Sequence, residues 1–418
     1  MIEAIATSIR ITPAQHLAAA CHGPRNLPSV RVAVPLEANV LGLRENGRTL
    51  VIVSIDWFFI SLELRERILS RCAGRLEEAG LVVAASHVHT SPNPDPTKIG
   101  FSKVDLEYVA WAEDVIADRV EELLRKGEWH LVRLRFTTTP CDLAIHRRRK
   151  AWSLGRSGFR RAVSIFPNAA GPRDRELRML RVEKQDGSLL AVMWGVSCHP
   201  TDWPRYGELS SDYPGCVRQA IRMRLGAETP VIFLQGFCGD LRPPSIGRWP
   251  RHGRWRGLVM TLVSVVLNGR SFVGFTAREY ARWMANIVKS AEEALNQAGH
   301  ASPLATKLSI RRSGIDLAAL GISGEIGQVT FHSFDLCEDL RVVGISAEVC
   351  WEYAGLIECA FPGKTIWPVG YIDNVFGYLP TKAMLAEGGY EVSGFMRPFG
   401  IEGSFVAEIE ETIIRSLS

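Results

Sequence analysis

Leu81-Val82-Val83-Ala84-Ala85-Ser86-His87-Val88-His89-Thr90-Ser91-Pro92 is the stretch on which the reading of the chain turns. Its first five residues are apolar and short, as a buried strand is. Two histidines follow at i, i+2, a spacing that puts both imidazoles on one face of an extended chain. Ser91-Pro92 and Asn93-Pro94 then turn the chain away. A strand that delivers two imidazoles to its tip and stops builds a metal site or an acid–base site. The plainer alternative is two loop histidines with no shared role, and the pair alone does not decide between them.

The same arrangement recurs along the chain. Residues 50–55 read as a strand that ends at Asp56, a carboxylate placed either to serve a site or to cap a helix. A hairpin over 176–196 ends at Ser197-Cys198-His199-Pro200-Thr201, so His199 also arrives at a strand tip before a proline. The short apolar strand 231–234 runs into Gln235-Gly236-Phe237-Cys238-Gly239-Asp240, a tight turn. Glu348 lies between the strand 340–345 and a helix over about 349–360. Tyr378 and Tyr390 sit in glycine-bearing turns.

Helical periodicity marks 62–79, 104–126, 213–225 with Asp212 placed to cap it, 278–297 and 404–417. Strands and helices thus alternate from end to end, with no repeat, low-complexity tract or flexible linker. That predicts one continuous α/β domain over 1–418, built of mixed β-sheets flanked by helices. In such proteins the strand ends and the loops after them form the active-site rim.

Composition narrows the function classes. At 418 residues, 46% hydrophobic and 22% charged, the chain has the make-up of an ordinary globular protein. A net charge of +4 is small for that length and argues against a nucleic-acid partner. Nine cysteines without a CxxC pair predict reduced thiols and a cytoplasmic setting. The N-terminus shows no secretory pattern. The strongest apolar run, 258–267, is too short to span a bilayer, which takes roughly 20 residues. It reads as a buried element or a lid, inside an expected insertion over about 244–271 that also holds Trp249 and Trp255. The basic stretch 141–175, with His146-Arg147-Arg148-Arg149-Lys150, reads as a long functional loop.

Taken in order, the strand-tip motifs resemble the catalytic domain of the neutral, non-lysosomal ceramidases. Ser86-His87-Val88-His89-Thr90-Ser91-Pro92 is similar to that family's T-H-T-H-S-G-P, and Cys198-His199-Pro200-Thr201 to its V-H-P-T-S. Gln235-Gly236-Phe237-Cys238-Gly239-Asp240 is similar to its Q-G…G-D-V-S-P. Gly377-Tyr378-Leu379-Pro380-Thr381 with Gly389-Tyr390-Glu391 is similar to its G-Y-V-T-T…Y-E-G. The resemblance implies a zinc-dependent hydrolase of a linear amide, N-acyl amides among them. It implies zinc ligands at His87, His199, Glu348 and Tyr378, with Glu352 as the competitor for the carboxylate. It implies His89 as the acid–base residue, and Tyr390 with Arg147 as the groups that bind the scissile carbonyl. It also places Asp240 and Arg242 beside the substrate.

The chain departs from the family in two ways. Arg242 stands where the family has a small hydroxyl, which suits an anionic group on a small-molecule amide substrate. The family's C-terminal β-sandwich and secretory signal have no counterpart, so no stable membrane anchor is expected. Two rival readings stay open: a TIM-barrel amidohydrolase in which His87 and His89 both bind metal, and a binding protein that kept the fold without the activity. The oligomeric state is not legible. Cys198 should point away from the site by strand alternation, and His130, His300 and His332 read as structural or surface residues.

Overall fold

The computed structural model describes residues 1–23, 26–155, 158–248 and 266–417. Two sheets lie face to face, with helices on both outer sides. The larger sheet contains β1 (Glu3–Arg10), β2 (Glu37–Glu45), β3 (Arg48–Ile55), β4 (Leu81–Ala85), β5 (His130–Pro140), β6 (Glu176–Lys184), β7 (Leu189–Val196) and β8 (Val231–Gln235). Its order is β8-β7-β6-β5-β1-β2-β3-β4. The smaller sheet, in the order β9-β10-β11-β12, contains β9 (Thr306–Asp316), β10 (Gln328–Cys337), β11 (Leu340–Ile345) and β12 (Thr365–Val369).

The strands that carry the motifs are buried on both faces, which is why they read as unbroken apolar runs. On β3, Val51, Val53 and Ile55 join the core under the helices, while Leu50 and Ile52 join the core between the sheets. On β7, Val192, Trp194 and Val196 face one way and Ala191 and Met193 the other. Phe334, Leu336 and Trp367 of the smaller sheet fill the inter-sheet layer. The outer layer includes α2 (Leu106–Lys126), capped by Asp105, and α4 (Ala277–His300), which starts with a Thr276/Glu279 capping box.

Parallel pairing sets where the site lies. β3 and β4 are parallel and joined through α1 (Leu64–Arg71). β7 and β8 are parallel and joined through α3 (Asp212–Leu225). β11 and β12 are parallel and joined through α5 (Tyr353–Ala360). Each pair therefore ends at a shared C-terminal edge, and those edges carry the residues after Ala85, Val196, Gln235 and Ile345. The segment just past β12 ties the two edge strands of the large sheet together. Gly370 N donates to Gln235 O on β8, Ala85 N on β4 donates to Tyr371 O, and Asp373 N donates to Val83 O.

Several expectations change. Five of the seven neighbouring pairs in the large sheet are antiparallel, so the fold is not a barrel of eight parallel strands and the TIM-barrel reading falls. Residues 62–79 hold α1 and the start of a short 3-10 helix, Glu78–Gly80, with Gly74 between them at a left-handed φ of 76°. The stretch 141–175 is not a loop but a long hairpin of Ile145–Gly155 against Gly158–Asn168. Strand β2 fell in a stretch with no expected element: Asn39 and Gly42 interrupt its apolar pattern. A Cβ on Gly42 would meet Ile5 Cγ2 at 2.8 Å. Most of the run 258–267, with Trp249 and Trp255, lies outside the described residues. Among the described residues no helix is long and apolar enough to cross a membrane.

Candidate metal centre

The backbone brings the two histidine motifs together before any side chain does. Ser86 N donates to Ile55 O, which carries the β3–β4 ladder one residue past the strand. His87 then adopts a φ of 60°, a left-handed conformation of the kind that clusters at functional sites. This turn, rather than an extended strand, is what aims His87 and His89 at one point. His89 N donates to Pro200 O at 3.2 Å and so stitches the first motif to the one that carries His199.

Three imidazoles and one carboxylate converge. His87 Nε2 lies 3.2 Å from His199 Nε2 and 3.3 Å from His89 Nε2. Glu348 Oε2 is 3.1 Å from His199 Nε2 and 3.5 Å from His87 Nε2. The ring of His87 is fully buried between Phe58, 4.7 Å away, and Tyr371, 4.1 Å away, both stacked on it. Among the described residues, His87, His89 and His199 form a group whose ligand atoms all lie within 4.8 Å of one another.

The hydrogen bonds behind the cluster define which nitrogen is available. His87 Nδ1 faces Phe58 O at 2.8 Å, and His199 Nδ1 faces Cys238 O at 2.6 Å. A carbonyl only accepts, so each Nδ1 carries the proton and each Nε2 presents a bare lone pair. Two such lone pairs and a carboxylate oxygen within about 3.5 Å of one another repel unless a cation lies between them. That donor set fits a divalent metal of the zinc type, which takes imidazole nitrogen and carboxylate oxygen and has its ligands oriented by carbonyl acceptors.

The electrostatics agree with neutral imidazoles at His199 and His89 and an ionised carboxylate at Glu348. Burial pushes His199 down to about 4. Burial, with His87 and His199 nearby, holds His89 well below the usual histidine range. Burial works to raise the Glu348 carboxyl, but His87 and His199 outweigh it and hold it well below the usual carboxylate range. Tyr371 donates its hydroxyl to Glu348 Oε2 at 3.3 Å and also contacts Cys238 Sγ at 3.1 Å.

A second group of side chains stands against Glu348. Tyr378 is buried, and burial with the Glu348 charge pushes its phenol well up. The Arg147 guanidinium packs over the rings of Tyr378 and Tyr390, 5.3 and 5.7 Å from their centroids. Arg147 Nε donates to Glu391 Oε1 at 2.8 Å, and Arg148 Nη1 donates to Glu391 Oε2 at 2.7 Å. Among the described residues, Arg147 Nη2 is buried with no hydrogen-bond partner. A buried guanidinium with one unused nitrogen, next to a half-buried Tyr390, leaves donors for an oxygen that is not part of the protein.

The remaining candidates lie further out. Glu352 is exposed and sits against Thr381 rather than the imidazoles. Asp240 is fully buried with both carboxylate oxygens engaged, one by Trp351 N at 2.8 Å and one by His146 Nε2 at 3.1 Å. Its carbonyl accepts from Arg147 N at 2.8 Å, so it anchors the hairpin that carries Arg147. Arg242 pairs with Asp202 at 2.7 Å in a neighbouring cleft. Asp56 binds Glu37 N and Arg218 Nη2 and caps no helix. Cys198 Sγ is buried and turned toward the Leu143 and His199 carbonyls. Cys21 and Cys359 are exposed.

Sequence reasoning missed Tyr371 and gave Glu391 no role. Tyr371 carried the same signal as the others, a polar residue just past a short buried strand. Glu391 follows Tyr390 directly, in a motif otherwise read for its tyrosine.

No protein-family model matches the chain, and no curated protein sequence does. Solved structures do. The neutral ceramidase from Pseudomonas aeruginosa superposes with a TM-score of 0.71 at 14% identity, over 99% of this chain and 73% of that one. A structure described as ceramidase complexed with C2 gives a TM-score of 0.70 at 14% identity, over 99% of this chain and 74% of that one. The chain has a neutral-ceramidase-like fold.

Proposed function

We propose that the chain is a zinc-dependent hydrolase that cleaves linear amides, N-acyl amides among them. The observation that carries this reading is the convergence of His87 Nε2, His199 Nε2 and Glu348 Oε2 within 3.1–3.5 Å, each Nδ1 bound to a carbonyl. The fold shared with the ceramidases supports the amide class.

In this reading His87, His199 and Glu348 hold the metal, and Tyr378, beside Glu348, completes the set. When bound, zinc supplies Lewis acidity and lowers the pKa of water to about 7. His89 moves the proton. It stands at the edge of the donor set, half-buried. Its Nε2 takes a proton from the attacking water and gives it to the leaving nitrogen. A C–O bond forms, the C–N bond breaks, and acid and amine result. Arg147 and Tyr390 donate to the carbonyl oxygen as negative charge builds there, and one such donor contributes about 3 kcal/mol. Glu391 and Asp240 position Arg147. None of the nine cysteines is in a disulfide, which supports the cytoplasmic setting read from the sequence.

The test is amine release from a panel of N-acyl amides by wild type, with and without added zinc. Zinc-dependent release supports the reading. Bound zinc with no release from any member favours the rival reading, a binding protein on the same fold.

A further inference from the structure

A cleft of about 600 Å³ is walled by His22, Thr201, Asp202, Trp203, Arg242 and Phe272 among others. Its place in the backbone ties it to the centre. Cys21, also on its wall, donates its N–H to His89 O, and Thr201 N donates to His199 O. Three polar atoms on the walls, His22 Nε2, Thr201 Oγ1 and Arg242 Nε, are buried with no hydrogen-bond partner among the described residues. Leaving such atoms unmet costs roughly 1–3 kcal/mol each, a cost that a ligand reaching them would relieve.

The chemistry of that ligand follows from what is already committed. Asp202 has no spare oxygen, since Oδ1 accepts from Arg242 Nη2 at 2.7 Å and Oδ2 from Ser245 Oγ at 3.0 Å. The uncommitted groups are weighted toward donors: the Arg242 N–H, the Thr201 hydroxyl, and an imidazole nitrogen that takes either role. Arg242 packs over the Phe272 ring, 4.4 Å from its centroid, and its side chain stays one-fifth exposed. A fixed guanidinium backed by a hydroxyl suits a planar anion.

We propose that this cleft binds a carboxylate on the amine half of the substrate, so that the enzyme acts on N-acylated amino acids. The assignment to the amine half rests on the hydrolase reading above. His89 must reach the leaving nitrogen, and what is attached to that nitrogen then extends into the cleft whose wall, through Cys21, bonds the His89 backbone.

The experiment compares N-octanoylglycine with its uncharged twin N-octanoylglycinamide. Equilibrium binding to chelator-treated wild type is measured by calorimetry, and turnover is measured with zinc restored. The acid is expected to bind at least about tenfold tighter, the scale of one charge-assisted hydrogen bond. Arg242→Gln is expected to bring the ratio close to one, and Arg242→Lys to keep part of it. Equal binding of acid and amide by wild type overturns the proposal whatever the variants do, as does a preference that survives Arg242→Gln. Preferential binding of the acid with turnover of neither compound would sink the hydrolase reading and leave the anion site standing. Turnover of both without preference would do the reverse.

Discussion

Glu348 and Tyr378 lie side by side as register partners in a short parallel ladder, Glu348–Val349 against Tyr378–Leu379. Glu348 N donates to Gly377 O at 2.8 Å, and Cys350 N to Leu379 O at 3.2 Å. The ladder fixes a carboxylate and a phenol next to each other, although helix α5 and strand β12 separate them in the chain. It also depends on Gly377, where a Cβ would fall on the Phe395 ring. Gly377→Ala is therefore expected to weaken zinc binding by about 10–100-fold, the usual effect of disturbing the groups that orient metal ligands. A competition titration with a zinc chelator measures this; unchanged affinity would mean that the ladder does not position the ligands.

His89→Ala separates metal binding from proton transfer. The variant is expected to retain its zinc and to lose about 10²–10⁴-fold in kcat, the contribution of a positioned acid–base group. Loss of the metal instead would make His89 a ligand and leave the proton transfer to another residue.

Tyr390→Phe tests carbonyl stabilisation. Its hydroxyl is one of the two donors assigned to the developing oxyanion, so kcat is expected to fall about 10²–10³-fold with zinc content unchanged. Steady-state kinetics on the best N-acyl amide of the panel give the answer. An effect confined to KM would move Tyr390 from the reaction to substrate binding.

Glu391 is a structural prediction. Its carboxylate is 1% exposed and bridges Arg147 and Arg148, so its loss leaves two buried guanidinium groups without their shared anion. Glu391→Gln is expected to cost about 3–5 kcal/mol, read from urea unfolding. A loss below about 1 kcal/mol, typical of exposed ion pairs, would show that the pair is solvated.

How much of this was legible follows from burial. β3, β4, β7, β8 and β11 are covered on both faces, so each reads as an apolar run that stops abruptly, and the residue after the stop is conspicuous. That is how His87, His199 and Glu348 stand out in the sequence. The hairpin that carries Arg147 was hidden for the opposite reason. A run of five basic residues looks solvated, and partners far off in sequence, Glu391, Asp240 and Glu387, make its burial tolerable. Tyr371 was missed because its place depends on a tertiary contact, the bridge from the end of β12 to the edge of β4.

Acid should weaken the fold through Asp373. His332 and Arg65 lie beside its buried carboxyl and, against the effect of burial, lower it to about 2. An unfolded aspartate titrates near about 3.9. The folded value is the lower one, so the contribution is complete above about pH 5 and is lost as pH falls through about 2. Its size is about 2.6 kcal/mol. Unfolding free energies of wild type and Asp373→Asn between pH 5 and 2 test this, and the variant should lack this part of the acid dependence. Parallel curves would place the acid sensitivity elsewhere.

The most direct test of the whole account is zinc content, measured by elemental analysis, of wild type beside His199→Ala, Glu348→Gln and Glu352→Gln. The account predicts about one zinc per chain in wild type, as a single catalytic site requires, its loss in His199→Ala and Glu348→Gln, and its retention in Glu352→Gln. No zinc in folded wild type supplied with the metal, or zinc lost from Glu352→Gln and kept by Glu348→Gln, would contradict it.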